Sequence, residues 1–283
     1  MVFLVTGAAR RIGREISIVL AKAGHDLAIH CNRSKTDGEA LAKEIELLGR
    51  RCVIVQGNLA DAAMPARLVD EAKSALGPLT GLINNASVFD DDRIENMTPE
   101  SWAWQIDINL KAPVLLAQAF AKQLPANASG NIINLVDQRV WKLAPDYFSY
   151  TIAKSGLWTA TRTLAQALAP RIRVNAIGPG PALPHKGMSK EAFEKLSKST
   201  LLARGTSPQE IAATVLFIIS QPAMTGQMIA LDGGQHLLWQ TPDMTGVEHG
   251  QQSETDPSRG RCRPEAPPCL RARSGAQGAA WYP

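Results

Sequence analysis

The sequence predicts a single doubly wound α/β domain: a parallel sheet of seven strands with helices on both faces. Three observations predict it. Short apolar runs alternate with amphipathic stretches over most of the chain, as they do when each strand is followed by a helix crossing back over the sheet. The 283 residues are 45% hydrophobic and 20% charged, enough apolar material for one large core. A glycine-bearing turn, "TGAARRIG" at residues 6 to 13, joins the first apolar run to the first amphipathic stretch.

Taken in order, "VFLVT" reads as the first strand and "IGREISIVLAKAG" as its helix. "DLAIHC" and "GEALAKEIELLG" repeat the pair, as do "RCVIVQ" and "ARLVDEAKSAL". "TGLINNA" is the fourth strand, followed by a long helix around 100 to 123. "GNIINLV" with a helix around 148 to 169, "RIRVNAIG" with a helix around 208 to 220, and a last strand "QMIALD" complete the set. That makes seven strands and about six helices. Right-handed crossovers then place ligands outside the carboxyl ends of the strands.

From residue 241 the pattern stops. "TPDMTGVEHGQQSETDPSRGRCRPEAPPCLRARSGAQGAAWYP" has no period and is rich in Pro and Gly, the composition of a disordered tail. The domain therefore spans 1 to 240, and the tail, 241 to 283, is expected to be dispensable. No internal repeat occurs. "MVFLVTG" lacks a basic lead and reaches glycine too soon to be a signal peptide or membrane span.

The net charge of +4 is spread along the chain, which argues against a nucleic-acid groove or a membrane patch and leaves small anionic ligands. Cys31, Cys52, Cys262 and Cys269 show no metal-ligand spacing. They read as reduced thiols of a cytoplasmic protein without a metal.

In the first turn, Gly7 and Gly13 permit close backbone approach, and the helix start offers free N–H groups to a pyrophosphate. An NAD enzyme needs a carboxylate at the end of the second strand for the ribose 2′-hydroxyl. "HCNRS" supplies Asn32, Arg33 and Ser34 and no acid, so the cofactor inferred is NADPH, with Arg33 and Ser34 on the 2′-phosphate. Tyr150 and Lys154 are four apart in the expected helix and share a face. An ammonium beside a phenol is expected to lower the phenol's pKa and fit it for proton transfer near neutrality.

The motifs together resemble the short-chain dehydrogenases/reductases over about residues 1 to 236. Thr6, Gly7 and Gly13 match the turn; "NNAS" at 84 to 87 looks like the family's N-N-A-G; Asn109 in "DINLKAP" matches the helix Asn that anchors a proton-relay water; "GPG" at 178 to 180 matches the loop over the nicotinamide. Read singly, each has a structural role open to it, such as bridging strands, bending a helix or forming a turn. The resemblance implies a Rossmann-type sheet and a cofactor site of Gly7, Arg11, Ile12, Gly13, Asn32, Arg33, Ser34, Asn58, Leu59, Asn85, Ala86, Ser87, Tyr150, Lys154, Pro179 and Gly180. It implies catalysis by Asp137, Tyr150, Lys154 and Asn109, and a homotetramer.

Three departures from the family pattern occur together. Arg11 replaces the middle glycine, Ser87 the last glycine of N-N-A-G, and Asp137 the catalytic serine. With Phe89, they coincide with the pteridine reductase branch, whose turn reads T-G-A-A-K-R-x-G, whose strand end reads N-N-A-S-x-F and whose catalytic acid is Asp. An ionised carboxylate accepts hydrogen bonds and cannot polarise a ketone oxygen by donation. A pterin instead presents a C=N bond that takes hydride at carbon and a proton at nitrogen. The resemblance therefore implies an NADPH-dependent reductase of pterins or folates, with Arg11, Ser87, Phe89, Asp137 and Tyr150 around the substrate. A generic carbonyl or 3-oxoacyl reductase, and a dinucleotide sensor without turnover, are the alternatives.

Overall fold

Alternation along the strands decides which face of the sheet each side chain covers. In the computed structural model, which describes residues 1–185 and 187–239, strands β1 (Val2–Val5), β2 (Asp26–Cys31), β3 (Cys52–Gln56), β4 (Gly81–Asn84), β5 (Gly130–Leu135), β6 (Ile172–Pro179) and β7 (Met228–Leu231) form one sheet. Its order is β3-β2-β1-β4-β5-β6-β7 and all pairings are parallel. The expected tail at 241 to 283 lies outside the described residues.

The helices are α1 (Arg11–Lys22), α2 (Lys35–Leu47), α3 (Met64–Leu76), α4 (Pro99–Ile106), α5 (Ala112–Gln123), α6 (Phe148–Leu168), α7 (Lys190–Lys198) and α8 (Pro208–Ser220). Phe3, Val5, Leu27, Ile29, Ile83 and Ile133 point to one face, where α1, α2 and α8 bring Ile16, Leu20, Leu41, Ile45, Ile211 and Val215. The alternate residues Leu4, Ala28, Leu82, Ile132 and Val174 meet Leu68, Ala72, Leu116 and Phe120 from α3 and α5 on the other. Each Val, Leu, Ile or Phe among them, fully buried, contributes about 1.5–3 kcal/mol. Strands buried on both faces need apolar residues at every position, which is why they read as runs.

Two elements differ from the expectation. The long helix around 100 to 123 is interrupted: Asp107–Lys111 form a π turn between α4 and α5. The segment after Gly180 contains α7, whose Ser189 caps the Ala192 N–H at 3.1 Å.

From β1 the chain winds outward to β2 and β3, then returns to β4 on β1's other side. This switch point leaves a crevice between the carboxyl ends of β1 and β4. Thr6 spans it: its Oγ1 accepts the N–H groups of Asn85 and Ala86, both at 3.0 Å.

Candidate active site

The turn after β1 is shaped by three contacts. Gly7 takes φ +62, and a Cβ on Gly13 would stand 2.3 Å from the Gly7 carbonyl oxygen, so α1 approaches the turn as only glycine allows. Asn85 donates through Nδ2 to the carbonyls of Thr6 (2.9 Å) and Gly7 (3.2 Å). Beneath the turn, His30 accepts the Gly7 N–H at Nδ1 (3.2 Å) while Nε2 meets the Gly57 carbonyl (3.0 Å). That pairing assigns the neutral ring with hydrogen on Nε2, and burial lowers its pKa.

The turn and the β2 end fit a dinucleotide phosphate. Helix α1 starts with no side-chain cap and no acid in its first turn, so its amides and dipole are available to an anion. A pocket of about 330 Å³ opens beside it, lined by Gly7, Ala9, Arg10, Cys31, Asn32, Arg33, Ser34 and Trp104. No acid lines it, and Arg33 is exposed. Leu59 is buried in the core, Asn58 turns its side chain onto the Ala60 N–H (3.1 Å), and Ala86 packs against the same core. Ile12 packs on the opposite face. Pro179 ends β6, and the Gly180 N–H is held by the Leu231 carbonyl at 3.0 Å.

Arg11, which the resemblance places in the cofactor and substrate sites, turns its guanidinium to the segment after Gly180. It adopts φ 55 and its Nη2 donates to the carbonyls of Pro184 (3.0 Å) and Leu183 (3.5 Å). It thereby latches the segment after Gly180 to the phosphate turn.

The catalytic candidates converge at the end of β5 and the start of α6. Tyr150 donates its hydroxyl hydrogen to Asp137 Oδ2 at 2.9 Å, and Arg139 N–H donates to Oδ1 at 2.9 Å. Lys154 is buried, donates to the Leu135 carbonyl at 2.7 Å and lies 5.6 Å from the Tyr150 ring centroid. The expected lowering of the Tyr150 pKa is corrected here. Burial and the Asp137 carboxylate raise it well above the usual phenol value, against weaker opposition from Arg139 and Ser87. Burial also raises Asp137, although the Arg139 amide, Tyr150 and the charges of Arg139 and Lys154 pull it down, and burial lowers Lys154 to about 8. The phenol therefore keeps its hydrogen, and burial raises the proton affinity of the Asp137 carboxyl it meets.

Asn109 sits in the π turn and is fully buried. Its Oδ1 accepts from Ser87 Oγ (2.7 Å) and the Val88 N–H (3.2 Å), and its Nδ2 donates to the Val88 carbonyl (2.9 Å). The extra residue of a π turn re-aims a side chain out of the helical register, and here it holds the strand end that carries Ser87. Phe89 stands edge-on to Tyr150 at 4.6 Å and stacks on Tyr147 at 4.1 Å.

Sequence reasoning missed Tyr147, His185, Arg139, Trp104 and His30. His185 meets the Phe89 ring edge-on at 5.6 Å, and the Arg139 guanidinium lies 4.9 Å over Tyr147 while pairing with Asp146. A signal existed for His30, a polar residue inside an apolar strand, and for Tyr147, three residues before Tyr150.

Residues 7–236 match the family model described as enoyl-(acyl carrier protein) reductase. The chain is 35% identical over 239 residues to the 3-oxoacyl-acyl-carrier-protein reductase FabG of Staphylococcus aureus, covering 83% of this chain and 97% of that protein. The chain belongs to the short-chain dehydrogenases/reductases. Within them it resembles the crystal structure of FolM alternative dihydrofolate reductase 1 from Brucella canis complexed with NADP, at 48% identity and a TM-score of 0.82, covering 86% of this chain and 97% of that one. A metagenomic blue fluorescent protein in complex with NADPH is 31% identical with a TM-score of 0.77, over 82% of this chain and 96% of that one. This short-chain reductase is an NADP(H)-dependent oxidoreductase, and its likeness to FolM is consistent with the pteridine reductase-like branch. Among the described residues no helix is long and apolar enough to cross a membrane, and no group of acids, histidines and cysteines could hold a metal ion.

Proposed function

We propose that this short-chain reductase reduces the C=N bond of a dihydropterin, and of dihydrofolate, to the tetrahydro form. The observation that carries the reading is the Tyr150–Asp137 hydrogen bond, which puts a carboxyl of raised proton affinity where a carbonyl reductase would present a hydroxyl. NADPH, when bound, supplies the hydride to carbon. Asp137 and Tyr150 supply the proton to the adjacent nitrogen, directly or through one water, and Asp137 is reprotonated from solvent. Phe89 offers a flat wall to a fused ring, and Ser87 offers a hydroxyl at the ring's polar edge. Arg11 meets that edge once its latch on Leu183 and Pro184 opens. Arg33 and Ser34 hold the 2′-phosphate, Gly7, Gly13 and the start of α1 the pyrophosphate, and Lys154 the nicotinamide ribose. The 48% identity to FolM, solved as an alternative dihydrofolate reductase, supports the same substrate class.

The test follows NADPH absorbance with dihydrobiopterin, dihydrofolate and a panel of ketones and 3-oxoacyl thioesters. Pterin-dependent oxidation is expected. Oxidation with ketones or thioesters alone would make this a generic carbonyl reductase, the reading that the FabG likeness favours. NADPH binding with no turnover would make it a sensor. We place the enzyme in the cytoplasm as a homotetramer; a monomer mass in light scattering would refute the assembly.

A further inference from the structure

The helix that carries Tyr150 and Lys154 begins without a cap of its own. Tyr147 occupies the N-cap position of α6 in the left-handed region, φ 53, and its side chain accepts nothing from the helix. The first amides of α6 find their acceptors far upstream instead. Phe148 N–H donates to the Asp92 carbonyl at 3.0 Å, and Ser149 N–H donates to Asp92 Oδ1 at 3.0 Å. Asp92 thus caps the catalytic helix across 57 residues of sequence, with its carboxylate at the positive end of the helix dipole. It is 5% exposed, and its Oδ2 is buried with no partner among the described residues. A carboxylate kept there at the cost of desolvation points to a task beyond solvation.

The upstream end of the same segment is tied elsewhere. Ser87 and Val88 are bound to Asn109 of the π turn, and the Gln105 side-chain oxygen, in the orientation that satisfies its amide, accepts the Asp90 N–H at 3.0 Å. Phe89 lies between the two anchors, edge-on to Tyr150. The segment therefore bridges the π turn and the start of α6, and Asp92 is its attachment to α6.

We propose that Asp92 is a positioning residue: by capping α6 it fixes the separation between Phe89, the wall of the substrate site, and Tyr150, the proton donor. The proposal rests on the roles given above to Phe89 and Tyr150. Loss of the cap lets the ring wall drift from the donor while the phosphate turn, on the other side of the crevice, is untouched.

The experiment compares Asp92→Ala, Asp92→Asn and Asp92→Glu with the parent enzyme, well below the melting temperature of each. A misplacement near 1 Å in an active site costs up to roughly 100-fold, so Asp92→Ala should lower kcat about 10- to 100-fold with the NADPH Kd unchanged. Asp92→Asn, which keeps an oxygen toward the Ser149 N–H, should restore most of it. Should Asp92→Ala fail to fold, Asp92→Glu, which keeps the charge and shifts the carboxylate by one methylene, should still lower kcat. Hydrogen exchange at the Phe148 and Ser149 amides, read without substrate, should quicken in the variants that lower kcat. An unchanged kcat in the folded Ala or Glu variant, an equal loss in Asn and Ala, or an NADPH Kd that weakens in step with kcat would overturn the proposal. Turnover is measured on whichever substrate the parent enzyme reduces fastest, so a failure of the pterin reading shows in the parent and a failure of the cap shows only in the variants.

Discussion

Tyr150 donates its hydroxyl hydrogen to Asp137 across 2.9 Å, so the two groups meet in one hydrogen bond at the end of β5. General acid catalysis of this kind is worth roughly 10²- to 10⁴-fold. Asp137→Asn keeps the shape but supplies no proton, and dihydropterin turnover should fall within that range while NADPH affinity stays the same. Asp137→Ser should leave pterin reduction poor and raise any ketone reduction, since a hydroxyl donates to oxygen. Wild-type pterin turnover in Asp137→Ser, measured by NADPH oxidation, would remove the carboxyl from the proton path.

Lys154 titrates near 8 in the free enzyme, below its ordinary 10.5. Between these values the unfolded chain binds more protons at this site than the folded one, so this residue makes stability rise with pH across that window. Lys154→Met should abolish that rise in a melting-temperature profile, lower turnover strongly and weaken NADPH. A pH–stability curve from pH 8 to 10 that is identical in both proteins would contradict the burial assigned to the ammonium.

Arg33 is the cation at the end of β2 in a pocket without acids. Arg33→Asp should weaken NADPH by about 1.5–3 kcal/mol through lost charge-assisted bonds, with repulsion added, and should affect NADH far less. Calorimetric titration with both cofactors reads the difference, and equal losses would take Arg33 off the 2′-phosphate.

His30 is neutral and buried under Gly7, with its pKa below 6.5. Below pH 6.5 the unfolded chain gains a proton there that the folded one resists, so this contribution to stability is full above 6.5 and is lost as pH falls further. His30→Ala should remove that acid sensitivity. It should also weaken NADPH by about 1–3 kcal/mol, because the Gly7 N–H loses its acceptor. An unaltered Kd would mean that the turn holds its shape without the ring.

The seven strands were legible because burial on both faces demands apolar runs, and the turn at 6 to 13 was legible because close helix approach demands glycine. The π turn at Asp107–Lys111 was not: its extra residue shows only in the hydrogen-bond register. Helix α7 is only nine residues long, with a narrow apolar stripe of Phe193 and Leu196 and no buried residue, so its period was too brief to stand out from the loop around it. Within the site, the meeting of Tyr150, Asp137 and Lys154 followed from spacing and resemblance. The direction of the Tyr150 shift did not, since it depends on Lys154 being spent on the Leu135 carbonyl while Asp137 faces the phenol. Asp92 was invisible for a simpler reason: its partner lies 57 residues away.

Arg11 carries a cost that its sequence neighbours do not. A side chain at φ 55 crowds its own backbone, a conformation that glycine adopts freely and most residues avoid. A glycine at this position would relax the chain, and a β-branched residue would add strain. Libraries screened only for thermal tolerance would therefore lose Arg11 early, and with it the guanidinium that joins the phosphate turn to the segment carrying Leu183 and Pro184.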